Sequence, residues 1–308
     1  MGDWYDYGHG KAVGASQFTP IELSAMATFH RCARVVAEAA GALGRADDQR
    51  RYQELAAAIA RAFNSRYFDG QAEYKNLGSP QTANSMALVT GMALPGREPL
   101  LIERVIGDLR QRGGQQTAGD IGHWYLLQAL AAQGRHEVIN DMTSRTNLGS
   151  YGFIVNNGWT SMPEAWDANT GASMNHCMLG HIQEWFLGHL AGIRPDPAGP
   201  GFKRFVVAPQ PVSGLTWARG EHLSPCGRIV SDWKLSQDRF VLRVQIPINT
   251  SATVFLPTTA PDSIRERGRP SAAAAGVKLL RPERTATALD VAGGDYEFEC
   301  LLRPGTGR

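Results

Sequence analysis

From Thr19 to Ala191 apolar side chains recur at intervals of three and four, the repeat of one helix face; beyond Ile193 they alternate, the repeat of a half-buried strand. Thr19-Pro20-Ile21-Glu22 offers a cap, an early proline and an acid. A helix is expected from there, with Met26, Phe29, Ala33, Val36, Ala40 and Leu43 turned inward and Gly44 as its stop. A second runs from Asp47 to about Tyr67 on a stripe of Tyr52, Leu55, Ile59, Ala62 and Phe63. Ser79-Pro80 opens a third through Met86 and Val89 to Gly91, and Glu98-Pro99 opens a fourth with Leu101, Val105, Ile106 and Leu109. Asp120 to Gln133 and His136 to Thr143 form the next pair, and a last helix is expected from Ser173 to Ala191 with Met178, Ile182, Trp185, Phe186 and Leu190 inward. Short links make adjacent helices antiparallel hairpins. A toroid of such hairpins gathers its loops at one end, where a rigid scaffold carries function.

The run Arg194-Pro195-Asp196-Pro197-Ala198-Gly199-Pro200-Gly201 cannot continue a helix and is read as a linker. The expected organisation is a helical domain over 1–193, a linker over 194–201 and a β-domain over 202–308. In the last part, runs at Phe205–Val207, Gly227–Trp233, Arg239–Gln245, Ala252–Phe255, Ala286–Val291 and Asp295–Leu301 predict an antiparallel β-sandwich. The fold class is therefore α + β and multidomain.

Composition narrows the function classes. The 308 residues are 43% hydrophobic and 19% charged with a net charge of +2, ordinary for a globular protein, and the scattered Lys and Arg form no phosphate-tracking stripe for nucleic acid. Cys32, Cys177, Cys226 and Cys300 lie far apart without CxxC spacing, so free buried thiols are expected and no metal or cofactor site. There is no apolar run of about eighteen residues and no charged-then-apolar leader at Met1. The expectation is no membrane span and a cytoplasmic location.

Candidate chemistry concentrates in GWTSMPEAWDANTGASMNHCMLGHIQEW at 158–185, where Glu164 stands among Trp159, Trp166 and Trp185, with Asn175-His176 following. A carboxylate among apolar rings is poorly solvated, which raises its pKa and suits proton transfer, and ring faces suit the C–H faces of sugars. The competing reading is a cap, with Asp167 or Asn169 receiving backbone N–H groups and Trp166 in the core. Asp120, at an expected helix start, reads as a cap before a ligand.

GDWYDYG at the start, TAGDIGHWYLLQAL at 117–130, SMPEAWD at 161–167, SMNHCMLGHIQEW at 173–185 and PGFKRFVVAPQP after the linker resemble the C-terminal part of bacterial α-L-rhamnosidases of glycoside hydrolase family 78. The resemblance implies an (α/α)6 barrel, incomplete here, followed by a β-sandwich. It further implies inverting hydrolysis of terminal α-L-rhamnosides, in which an acid and a water-activating carboxylate stand roughly 6.5–9.5 Å apart. In that pattern Glu164 is the general base, His176 contacts the sugar, its alternative being a core imidazole near a helix start, and Asp3 and Trp4 belong to a pocket-lining loop, Trp4 as a stacking ring and Asp3 as a loop-capping carboxylate before a ligand; Trp159 and Trp166 either stack on sugar or wall the base, with a wall favoured for Trp166. The family's acid motif, DxxxRxE, does not occur in these residues, so the expectation is a fragment that binds or barely turns over rhamnosides, with association through the open side of the toroid. Two other readings remain: a non-catalytic carbohydrate-binding remnant, and a different toroid enzyme, either a glucoamylase-like hydrolase or a polysaccharide lyase recruiting Tyr151, His123 and Arg145.

Overall fold

A computed structural model describes residues 1–6, 14–168 and 172–302. The helices are α1 (Ile21–Ala42), α2 (Ala46–Tyr67), α3 (Gln81–Thr90), α4 (Glu98–Gln111), α5 (Gly122–Ala132), α6 (His136–Ser144) and α7 (Tyr151–Asn156). A 3-10 turn (Met178–His181), the short α8 (Ile182–Trp185) and a π-helical turn (Phe186–Leu190) follow. The strands are β1 (Ile193–Pro195), β2 (Arg204–Val207), β3 (Trp217–Ser224), β4 (Gly227–Ser236), β5 (Arg239–Leu256), β6 (Arg265–Glu266), β7 (Arg269–Pro270), β8 (Val277–Pro282) and β9 (Thr287–Leu301). The chain forms two compact units, Met1–Ile182 and Gln183–Arg308. No helix among the described residues is long and apolar enough to cross a membrane.

In the first unit the hairpins are layered. α1, α3 and α5 touch one another in sequence, while α2, α4 and α6 each pack on their hairpin partner. This alternation of inner and outer helices is what the paired periodicity predicts. Inner position shows in burial: on α3 the seven residues from Gln81 to Ala87 are all buried, whereas on α4 only Leu101, Ile102, Val105, Ile106 and Leu109 are. Polar side chains on α3 therefore have fixed partners. Asn84 Oδ1 accepts from Tyr74 N at 2.8 Å, and Gln81 donates to Asp108 at 2.8 Å while accepting from Thr117 N at 2.9 Å.

Several expectations are corrected. The buried stripe of α1 is Leu23, Ala27, His30, Ala33, Ala37 and Ala40, while Phe29, Val36 and Leu43 are exposed. Small alanines let the neighbouring helices approach, so the larger residues one step round the helix are left outside. Thr19 does not cap α1: Pro20 holds the N-cap position without a side-chain cap bond. The expected helix from Ser173 to Ala191 begins only at Met178 and changes pitch twice, because residues 173–176 are bonded to an earlier loop instead. α7 is a helix that the apolar repeat does not predict; Ser150 caps it by accepting from Phe153 N. Of the cysteines only Cys300 is buried, Cys32 and Cys177 being exposed and Cys226 intermediate, though all four are free.

In the second unit the strand pairing forms one connected sheet built on β5 and β9, each of which joins two of the expected runs. Their register shifts between Ile246 and Ser251, where the ladder is interrupted and resumes. The pairing is antiparallel except between β2 and β5, which run parallel, a departure from the fully antiparallel expectation. Residues 193–195, at the edge of the expected linker, are strand β1 paired with β2. Trp233 is fully buried, lies 5.8 Å from Phe240 ring to ring, and donates its indole N–H to Leu190 O at 2.8 Å.

Trp233→Ala should therefore destabilise the sheet unit by about 3–5 kcal/mol through the cavity and the stranded carbonyl. Denaturant unfolding followed by the fluorescence of the remaining tryptophans measures this.

Candidate active site

Three loops of the first unit meet at the candidate site: the amino-terminal turn, the entry to α5, and the segment before the 3-10 turn. Asp3, fully buried, joins the first two. Its Oδ1 accepts from Gly122 N at 2.7 Å and Ile121 N at 3.2 Å, and its Oδ2 accepts from Gly119 N at 3.0 Å and Thr82 Oγ1 at 2.9 Å. Ile121, the N-cap of α5, has no side-chain cap bond of its own. Asp3 thus supplies from a distant point in the chain the anion that a helix start favours. Burial pushes its carboxyl up to about 6, against the lowering by the Gly119 and Gly122 amides. Asp3 is consequently a buried carboxylate committed to four donors of the scaffold, the loop-capping role that the sequence puts first for it.

Asp6 fastens the other end of the turn, accepting from Gln17 N and Phe18 N, each at 2.8 Å. Residues 7–13 of the expected loop and the candidate cap Asn169 lie outside the described residues. Close approach requires glycine at 119: a Cβ there would sit 2.2 Å from Trp4 O and 2.5 Å from Asp6 N. Trp4 O in turn accepts from Asp120 N at 2.8 Å.

Glu164 and His176 are brought together by a short ladder. Glu164 N donates to Ser173 O and His176 N to Met162 O, both at 2.8 Å, while Ser161 Oγ donates to Met174 O at 2.5 Å. The Glu164 carboxylate is half-exposed. Its Oε2 accepts from Ser173 N at 2.8 Å and its Oε1 from Trp4 Nε1 at 3.0 Å. The Ser173 amide holds its pKa below the ordinary glutamate value, with Trp4 and His176 acting in the same sense against slight desolvation. The sequence-based expectation of a raised pKa is overturned, because the Ser173 amide, and after it the Trp4 N–H, donate to a carboxylate that burial desolvates only slightly.

Asp120 is the residue that sequence reasoning undervalued. It does not cap α5; its side chain is only 4% exposed and its Oδ2 lies 3.9 Å from His176 Nδ1. Burial, then the negative charges of Glu164 and Asp3, push its carboxyl up to about 7. Asp120, Glu164 and His176 each bring one oxygen or nitrogen to within 4.8 Å of the others. Both oxygens of Glu164 already accept hydrogen bonds, so the cluster suits a shared proton or water better than a closed cation cage. Its signal in the sequence was an acid between two glycines in TAGDIG, a spacing that brings backbone close on either side.

Trp166 is 1% exposed, donates its indole N–H to Ala118 O at 2.9 Å and packs edge-on to His123 and Tyr151. It is thus packed into the wall behind the site, the arrangement favoured for it. Trp159 is half-buried against the same cluster. The residues named for a lyase are otherwise engaged. Tyr151 OH donates to Leu179 O and lies 2.8 Å from His123 Nε2, burial lowers His123 to about 3, and Arg145 pairs with Asp141 at 2.7 Å.

The family model of the bacterial alpha-L-rhamnosidase 6 hairpin glycosidase domain matches residues 1–190, and that of the bacterial alpha-L-rhamnosidase C-terminal domain matches residues 192–270. The chain belongs to the bacterial alpha-L-rhamnosidase family. An alpha-L-rhamnosidase of Formosa agariphila is 25% identical over 290 residues, covering 91% of this chain and 31% of its own length. The solved Streptomyces avermitilis alpha-L-rhamnosidase, complexed with L-rhamnose, superposes with a TM-score of 0.86 at 26% identity, over 97% of this chain and 28% of that one. The alpha-L-rhamnosidase of Dictyoglumus thermophilum shares the fold, with a TM-score of 0.87 at 23% identity over 97% of this chain and 34% of its own. The chain thus spans under a third of the curated rhamnosidases it matches.

Asn at position 3 would turn an N–H toward one of the donors that Asp3 now accepts. Asp3→Asn is expected to cost about 2–4 kcal/mol, lowering the Tm of the helical unit by roughly 5–10 °C, as scanning calorimetry would register.

Proposed function

We propose that this chain carries the water-activating side of an α-L-rhamnosidase site, with Glu164 as general base. The observation that carries the reading is the state of that one carboxylate. It is open to solvent, kept ionised at neutral pH by Ser173 N and Trp4 Nε1, and set beside His176. A base must reach its proton with a lone pair free, and each carboxylate oxygen here, having accepted one hydrogen bond, retains capacity for another. The substrate class follows from the rhamnosidase relatives, one of which holds L-rhamnose. His176, 29% exposed at its side chain, and the half-buried Trp4 are the groups able to meet a sugar at this mouth.

In the proposed step Glu164 takes a proton from water as the water oxygen joins the anomeric carbon from the face opposite the departing oxygen, which inverts the centre. A base with a depressed pKa is a weaker proton acceptor but is ionised over a wider range. The acid limb of the rate profile should accordingly fall below the usual glutamate range.

A 2,4-dinitrophenyl α-L-rhamnoside tests this directly, since its phenolate departs without protonation and the rate then reports on water activation. Glu164→Gln should lower kcat by roughly 10²- to 10⁴-fold, and the unaltered chain should hold its rate as the pH falls to about 5. Release of dinitrophenolate at equal rates by both proteins would remove the catalytic assignment and leave a sugar-binding module.

A further inference from the structure

Asp120 combines three properties that a structural carboxyl does not need. It is almost wholly buried, its Oδ1 has no hydrogen-bond partner among the described residues, and no Lys or Arg there pairs with it. An unmatched buried carboxyl oxygen is costly, and the same carboxyl turns its other oxygen, Oδ2, toward His176, so the group as a whole calls for a ligand. His176 Nδ1 is likewise without a hydrogen-bond partner among the described residues. The separations give the ligand's size: 3.9 Å from His176 Nδ1 to Asp120 Oδ2, and no more than 4.8 Å between any two of the three groups. Such gaps are too long for direct bonds, yet two hydrogen bonds of about 2.8 Å meeting at one oxygen at a roughly tetrahedral angle span them.

We propose that Asp120 positions the water that Glu164 deprotonates, with Asp120, Glu164 and His176 Nδ1 sharing that one molecule. The inference rests on Glu164 being the base. Water has two protons and two lone pairs, and the cluster accounts for each. One O–H points to Glu164 and is the bond that breaks. The other points to His176 Nδ1. The Asp120 hydroxyl donates to one lone pair, which leaves the second to form the bond to the anomeric carbon. As that bond forms, the exocyclic C–O bond breaks and its electrons leave on the aglycone oxygen, while the water proton ends on Glu164. Asp120 can donate only while protonated. The charged and titratable groups around it are Glu164, Asp3 and His176; burial first, and then the two carboxylates, hold its proton on to about pH 7.

The test uses the dinitrophenyl rhamnoside, with pH profiles of kcat for the unaltered chain, Asp120→Asn, Asp120→Ala and Glu164→Gln. The unaltered chain should lose rate as pH rises through about 7. Asp120→Ala should lower kcat about tenfold or more with KM little changed, the signature of an interaction made in the transition state. Asp120→Asn, close to isosteric and a donor at every pH, should recover part of that loss and abolish the alkaline limb. Unaltered kcat and an unaltered alkaline limb in both Asp120 variants would overturn the proposal. If those variants match the parent while Glu164→Gln is impaired, Asp120 alone loses its role. If Glu164→Gln also matches the parent, the base assignment falls with it.

Discussion

The site depends on a single buried carboxylate holding the start of a helix. Asp3 accepts hydrogen bonds from Gly119, Ile121 and Gly122, the amides entering α5, and from Thr82 on α3. With those contacts the amino-terminal turn is fixed to two inner helices at once. Trp4 is then carried to Glu164, and its carbonyl fixes the backbone of Asp120. No long element runs through this arrangement, so the position of the Glu164 carboxylate rests on pairwise polar contacts between loops.

Along this chain of contacts three carboxylates sit in progressively wetter surroundings, and their proton affinities do not simply follow burial. Asp3 is the most enclosed, yet four donors restrain it to about 6. Asp120 has less help and two negative neighbours, and reaches about 7. Glu164 is the most open and has two donors, and lies below its ordinary value. Desolvation raises and donors lower; the balance leaves an ionised acceptor beside a group that can hold its proton, a pairing suited to moving one proton at neutral pH.

The helical hairpins were legible because burial on one face imposes a repeat that the sequence must display, and α2, α3, α4, α5 and α6 lie close to where that repeat puts them. What failed is also physical. Phe29 and Val36 follow the helical repeat, but the contact side of α1 is decided by how closely alanines let neighbours come, which a count of apolar residues misses. Ser173 and His176 fall within helix-like spacing yet spend their backbone on Glu164 and Met162, since tertiary partners outbid the local pattern. At the candidate site, the pKa direction of Glu164 turned on the Ser173 amide and then the Trp4 N–H, two donors that a run of tryptophans in the sequence does not reveal. Asp120 was masked by its resemblance to a cap, because the carboxylate that meets the α5 entry, Asp3, lies more than a hundred residues away in the chain.

The two glycines flanking Asp120 and Ile121 carry a consequence for how this surface can vary. A methyl at 119 would strike the Trp4 carbonyl, and one at 122 would strike an Asp3 oxygen 2.2 Å away. Any side chain at either place must lift the amino-terminal turn off the helix. The indole that restrains Glu164 would then lift with it. Positions 119 and 122 are thereby constrained as tightly as the carboxylates beside them, and a change in the first six positions has to be matched by a change across the α5 entry.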